Sequence, residues 1–268
     1  MKLRYERKYL VHNDLQEVLR ERFKPFLRPD KHAIGPLEYP EYTVRSIYFD
    51  THDMAAYLDK IEGYKRKKKL RIRGYNVHRN GDKVVFEIKR KIGDRIYKNR
   101  VFLEYEELPK VMDPSLDSGG ESLRNKSFLN DPSYKKFKYN LLRYHMHPVI
   151  LISYEREPYH GQIDSGVRVT FDKNIRSKFA PSLDELYSET FMRPLFKDHF
   201  ILEIKYFTDF MPSWAKSIVA EYNLRREALS KFSIGIDAHH DERMKLPSSA
   251  FRSYRLSGLS NFVFKKKL

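Results

Sequence analysis

Lys69-Leu70-Arg71-Ile72-Arg73-Gly74-Tyr75 and, beyond Asn80-Gly81, Lys83-Val84-Val85-Phe86-Glu87-Ile88-Lys89-Arg90-Lys91 decide the fold. Side chains alternate in direction along a strand, so Leu70 and Ile72 share one face while Lys69, Arg71 and Arg73 share the other. In the second stretch Phe86, Ile88 and Arg90 oppose Glu87, Lys89 and Lys91. Asn-Gly between two such runs meets the positive-φ demand of a tight hairpin turn. An ordinary half-buried strand turns its polar face to water and scatters Thr, Ser, Gln and mixed charge there. These two choose Arg, Lys and Glu almost throughout.

The same design recurs outward from this hairpin. Glu203 and Lys205 alternate with Leu202, Ile204 and Tyr206, Arg168 and Thr170 with Val169 and Phe171, and Glu6 and Lys8 make the pair again near the start. Further alternating runs, Thr43 to Asp50, Ile96 to Tyr105, Pro148 to Arg156, Val167 to Lys173 and Phe200 to Phe207, predict antiparallel strands, with Gly93-Asp94 turning one pair. Helical pattern is sparser. Asn13 with Gln16 predicts a capping box ahead of a Leu15, Val18, Leu19 and Phe23 stripe. Other helices are expected from Pro212 to Tyr222 and from Tyr134 to Leu142, and Asp113 to Asn130 reads as a loop.

The chain has 268 residues, 41% of them hydrophobic, so it can build a core, and its 52 Lys and Arg against 36 Asp and Glu leave a net charge of +16. Such an excess calls for a polyanionic partner. There is no cysteine, which excludes disulfides, thiol nucleophiles and thiolate metal sites. The amino terminus lacks an apolar secretory segment, and the longest aliphatic run, Val149 to Ile152, is far too short to span a bilayer. A soluble, cytoplasmic protein is expected. No P-loop or dinucleotide glycine motif occurs, so side chains must hold any phosphates. His145, His147 and the His239-His240 pair lack further ligands at metal spacing and read as surface features.

Charged faces on at least five strands are best accommodated by a closed barrel, apolar side outward under covering helices and charged side lining the lumen. Like charges in such a lumen repel one another unless a polyanion and a metal ion occupy it. Arg offers a planar fork and Lys a point charge to phosphate oxygens. Glu6, Glu87 and Glu203, each two residues before a Lys on the same face, are candidates to hold Mg²⁺ or Mn²⁺.

Eight stretches in order then resemble the vacuolar transporter chaperone (VTC) domain of the triphosphate tunnel metalloenzyme superfamily. They are Arg4 to Tyr9, Ser46 to Thr51, Leu70 to Tyr75, Phe86 to Lys89, Tyr154 to Arg156, Arg168 to Asp172, Leu202 to Tyr206 and Ser230 to Ser233. The resemblance covers roughly Leu3 to Asp237 and implies an α+β, mainly antiparallel fold: an eight-stranded closed β-tunnel with a charged lumen, covered by peripheral helices. It divides the chain into a tunnel domain, residues 1–237, and a basic extension, residues 238–268. It implies phosphate-binding roles for Lys8, Arg71, Arg73, Lys89, Arg156, Arg168, Lys205 and Lys231, with Lys98, Arg100 and Arg45 as further contacts and Glu203 as the foremost metal ligand. The superfamily's hydrolytic branches open with Glu-x-Glu-x-Lys, whereas here Arg4 stands in the first Glu position.

What the resemblance implies is a polyphosphate polymerase that moves the ATP γ-phosphate onto a growing inorganic polyphosphate chain, with Lys89, Arg71, Arg73 and Glu203 as the catalytic set and Mn²⁺ or Mg²⁺ as the cofactor. ATP and polyphosphate are the implied partners. Tyr48 and Tyr75 are candidates to stack on adenine. Rival readings are a metal-dependent triphosphatase in the same tunnel, a silent polyphosphate-binding module, and nucleic-acid binding. The last lacks any recognisable helix-turn-helix or RNA-recognition signature.

Overall fold

The computed structural model describes residues 5–33, 39–93, 95–112, 126–164, 166–207 and 209–243. Its strands are β1 (Tyr5–His12), β2 (Leu27–Pro29), β3 (Tyr42–Asp50), β4 (Arg66–Tyr75), β5 (Lys83–Ile92), β6 (Arg95–Glu104), β7 (His147–Gly161), β8 (Arg168–Phe179), β9 (Arg193–Pro194) and β10 (His199–Tyr206). The helices are α1 (Gln16–Phe23), α2 (Ala55–Ile61), α3 (Leu108–Met112), α4 (Pro132–Arg143), α5 (Ser213–Glu221), α6 (Lys231–Ala238) and α7 (His240–Arg243).

Eight strands pair antiparallel in the order β1-β10-β8-β7-β3-β4-β5-β6, with β2 attached to β7 and β9 to β8. The sheet curls so far that Glu6 on its first strand lies 3.6 Å from Lys89 on β5. Among the described residues no ladder joins β1 to β6. The free edge of β1 is met instead by residues 226 to 229: Tyr9 bridges Arg226, and the Glu227 amide donates to the Lys8 carbonyl at 2.9 Å.

Alternation along each strand sorts the side chains as expected. On the convex side of β3 to β6, Ile47, Phe49, Leu70, Ile72, Phe86 and Ile88 are buried beneath Tyr134, Phe137 and Leu141 of α4. On β1, β8 and β10, Tyr9, Val11, Val169, Phe171, Leu202 and Ile204 lie beneath Leu19 and Phe23 of α1 and Ala215 and Ile218 of α5. Each such side chain contributes roughly 1.5–3 kcal/mol on burial. The concave side is left to the charges.

Helix α6 is the exception to this layering. Its Phe232, Ile234 and Ile236 cluster with Tyr48, Ile150, Ile152, Ile175 and Ile201, which fill one end of the concave face. A β-bulge makes this possible. The β7–β8 register slips between Ser153 and Glu155, opposite Asn174 at φ +47°, and the slip brings Ile175 to the face that Asp172 already occupies. Gly235 is required by the close approach, since a Cβ there would come within 2.5 Å of Ile152 Cδ1 and 2.8 Å of Ile150 Cδ1.

The structure corrects several local expectations. Asn13 lies inside a 3₁₀ turn, and the cap comes from His12, whose Nδ1 accepts from the Asp14 amide at 3.3 Å. Leu19 and Phe23 are buried but Val18 is 43% exposed, because the short α1 presents a narrower apolar stripe than the four residues suggest. His239 is buried, within hydrogen-bond distance (3.0 Å) of Ser177 Oγ, and is no surface feature. Asp131 caps α4 and Pro212 precedes α5, within two residues of the expected helix starts. Helices α2, α3, α6 and α7 were not expected from the sequence. Arg4, Asp94, residues 113–125 of the expected loop and all of the extension beyond residue 243 lie outside the described residues. No helix among the described residues is long and apolar enough to cross a membrane.

Candidate active site

The concave face encloses a cavity of about 1020 Å³ lined by basic side chains. Lys8, Arg71, Arg73, Lys89, Lys98, Arg100, Arg156, Arg168, Lys205 and Lys231 all line it, as do Glu6 and Glu203. Register arranges those on β4, β5 and β6 in rungs. Arg71, Glu87 and Arg100 face one another across three strands, and one step along, Lys69, Lys89 and Lys98 do the same.

The two rungs differ in charge balance. In the first, Glu87 accepts from Arg71 and, at 2.7 Å, from Arg100 Nε. Burial alone would raise the Glu87 carboxyl, but Arg71, Arg73, Lys98 and Arg100 hold it well below the usual carboxylate range. The second rung has no carboxylate of its own, and like charges directly opposite are unfavourable. Burial and then repulsion by Lys89, Lys8 and Lys60 take Lys69 well below the ordinary lysine range. Burial, followed by Lys89, pushes Lys98 down to about 7. Lys89 is also lowered by burial, with Glu6 offsetting part of the effect.

Across the lumen the cations are held by carboxylates. Arg156 donates from Nε and Nη2 to Asp172 at 2.7 and 2.8 Å, and Lys231 donates to the same buried carboxylate. Asp172 is held well below the usual carboxylate range because Arg156 and Lys231 outweigh its burial. Glu203 contacts Lys205, with Arg156 at 3.8 Å and Lys8 at 3.9 Å. Burial lowers Lys205 to about 8, partly offset by Glu203. Arg73 donates to Ser46 Oγ at 3.1 Å, and Arg168 to Asp30 at 3.0 Å. Ser230, the N-cap of α6, accepts from Lys69 at 2.9 Å, which aims the positive end of that helix at the lysine rung.

One predicted contact is not brought in. Arg45 is buried but lies off the lumen, donating to the Asn76 carbonyl at 2.9 Å and to Glu189. Strand parity is the reason: Ser46 and Tyr48 hold the lumen positions of β3, and Arg45 is one residue out of step. Tyr48 and Tyr75 both line the cavity, Tyr48 accepting from Arg71 at 2.9 Å. Lys69, Asp172, Tyr42, Tyr154 and Arg226 were not singled out from sequence as site residues. Lys69 and Asp172 share strand faces with Arg71 and Arg168, so parity could have found them.

Among the described residues no group of three or more His, Asp or Glu is placed to hold a divalent ion alone. Glu6 and Glu203 sit diagonally across the β1–β10 pair, since Glu6 faces Lys205 and Glu203 faces Lys8. Despite burial and their mutual repulsion, Glu6 is held below its usual range by Lys89, Lys205 and Lys8, and Glu203 by Lys205, Lys8 and Arg156. Two ionised carboxylates beside a large basic cavity fit the hard cations that bind through one or two carboxylates plus substrate phosphates. Glu87 is taken up by its two guanidinium partners.

A family model of the VTC domain matches residues 3–240. No curated protein matches the chain. Among solved structures, the chain is similar to a candidate adenylate cyclase from Bacillus halodurans, at 14% identity over 85% of this chain and 94% of that one, with a TM-score of 0.47. It is also similar to a protein of Pyrococcus horikoshii OT3, at 14% identity over 87% and 98%, TM-score 0.43. A candidate adenylyl cyclase from Hippeastrum, described as having a dominant triphosphatase activity, matches at 12% identity over 88% and 96%, TM-score 0.46.

Proposed function

The chain belongs to the VTC-domain family, and on that premise we propose that it is an ATP-dependent polyphosphate polymerase working inside its basic tunnel. The observation that carries this reading is the rung Lys69, Lys89 and Lys98, three cross-strand ammonium positions with no carboxylate between them. They favour an anion of several charges over any neutral ligand.

In this reading the γ-phosphoryl group lies at the lysine rung with Arg71 and Arg100 beside it. A terminal oxygen of the acceptor chain attacks the γ-phosphorus. A new P–O bond forms, the bond from that phosphorus to the β–γ bridging oxygen breaks, and the electron pair leaves on ADP. Phosphoryl transfer asks little covalent help of the protein, so positioning and charge neutralisation by Arg71, Arg73 and Lys89 carry most of the effect. Mg²⁺ or Mn²⁺ held by Glu203 and Glu6 would supply further neutralisation of the phosphate oxygens.

Incubating the protein with ATP and Mn²⁺ or Mg²⁺ and resolving product length on a gel tests the proposal. Acid-labile chains longer than triphosphate are expected. Orthophosphate as the only new product would replace it with triphosphatase chemistry, and no product with intact phosphate binding would leave a silent binding module.

A pH effect follows from the lysines. A phosphate chain beside Lys98 and Lys205, which sit at about 7 and about 8 in the free protein, returns them toward the ordinary lysine range. The bound form therefore holds more protons than the free form, and affinity for tripolyphosphate falls as pH rises through this window. Titration calorimetry at pH 8 in two buffers of different ionisation enthalpy should register net proton uptake. Equal heats in both buffers would contradict it.

A further inference from the structure

The lumen face of β4 and β5 continues one step beyond the lysine rung, to Lys67 directly opposite Lys91. Lys60, at the end of α2, lines the same cavity as that pair. The other mouth is built differently. There Tyr75 stands against Tyr42 with ring centroids 5.8 Å apart, and Arg168 lies within 3.4 Å of the Tyr42 hydroxyl. Eight residues of β4 separate Lys67 from Tyr75, about 26 Å at the rise of a strand. A triphosphate, with two P–O–P links, fills only part of that length, and a chain of many units must emerge from a mouth.

The lysine mouth suits such a chain. Lys60 is lowered by burial and by Lys67, Lys8 and Lys91, and Lys67 by burial and Lys91, with Asp59 offsetting only part of it. A passing polyanion would offset both the burial and the mutual repulsion of Lys60 and Lys67. Lysine is a point charge on a flexible stem with no fixed fork, which lets a uniform chain slide where arginine would fix it in one register.

We propose that Lys60, Lys67 and Lys91 form an outer phosphate subsite that grips the internal units of an inorganic polyphosphate chain too long for the tunnel to contain. The proposal rests on reading the tunnel as a phosphate-chain site, and it separates binding of long chains from binding of triphosphate. The triple variant Lys60→Gln/Lys67→Gln/Lys91→Gln, in the full chain without nucleotide, should lose about tenfold or more in affinity for long-chain polyphosphate, with a shallower salt dependence. Its Kd for tripolyphosphate, held deeper at the rungs, should stay within about twofold, which also verifies folding. Lys60→Gln alone should show part of the same selective loss.

Parallel loss for both ligands, or no loss for either, would overturn the subsite. So would an equal loss for single-stranded DNA, which would make the mouth a general polyanion surface. The product-length assay fails independently: absence of polymer with length-selective loss intact removes the polymerase reading and keeps the subsite, and the converse result does the reverse.

Discussion

Lys89→Met should abolish most of the activity while leaving the protein as stable as before, or more so. Lys89 stands between Lys69 and Lys98 on facing strands, so removing its charge relieves two like-charge contacts, and methionine keeps the aliphatic stem. Glu6 loses a partner at 3.6 Å but keeps the fields of Lys205 and Lys8. The transferring phosphoryl group, in contrast, loses a cation aimed where charge develops, and single preorganised donors of this kind are typically worth about 10²–10³ in rate. Turnover of ATP to polymer measured beside a calorimetric melt checks both halves. A rate within tenfold of the parent would remove Lys89 from the chemistry, and a large drop in Tm would show that its role is structural.

Asp172→Ala should do the opposite, costing stability first. Asp172 is fully buried, and it takes both forks of Arg156 and the Lys231 ammonium. Truncation leaves two largely buried cations, Arg156 and Lys231 with side chains 13% and 10% exposed, without that partner, a change that typically costs up to about 3–5 kcal/mol. For a domain of this size the melting temperature should fall by roughly 6–20 °C. Tripolyphosphate should stabilise the variant more than the parent, because the released Arg156 and Lys231 can take phosphate oxygens instead. The pH profile carries a signature. The Asp172 carboxyl is held below its unfolded value, so its contribution is present above the unfolded pKa and is lost as pH falls through the lower folded one. The parent should therefore shed stability steeply in acid, and the variant should lack that part of the slope. A melt within 2 °C of the parent at neutral pH would contradict the burial argument.

These two outcomes express how charge is distributed in the tunnel. On β4 to β6 the lysine rung is under-compensated and gains from an anion, while on β7, β8 and β10 the cations are already satisfied by Asp172 and Glu203. A ligand therefore competes with carboxylates on one wall, and on the other meets lysines whose protonated forms it stabilises.

Much of this was legible from residue order. Period-two alternation over Leu70 to Arg73 and Phe86 to Lys89 separates a convex apolar face from a concave charged one without reference to tertiary contacts, because strand geometry imposes the alternation locally. Asn80-Gly81 likewise marks its hairpin through a backbone requirement of two residues, and Gly81 adopts φ +82° as that turn demands. Parity alone pointed to charged faces on β1, β4, β5, β8 and β10, whereas Lys98 and Arg100 of β6 were named through the family resemblance.

What only the tertiary structure decided is non-local. Arg45 is as basic as Arg73 and shares its strand face with Ile47 and Phe49, but that its partner there is Glu189, 144 residues away, only the folded chain decides. The bulge at Asn174 shifts β8 so that Asp172 and Ile175 both point inward. Helix α6 has no amphipathic stripe to betray it, since six of its eight residues are buried inside the barrel end. The approach of residues 226 to 229 to the free edge of β1 joins segments more than two hundred residues apart. Local sequence determines which way a side chain points from its own strand; which partners it meets there depends on chain segments that sequence proximity does not connect.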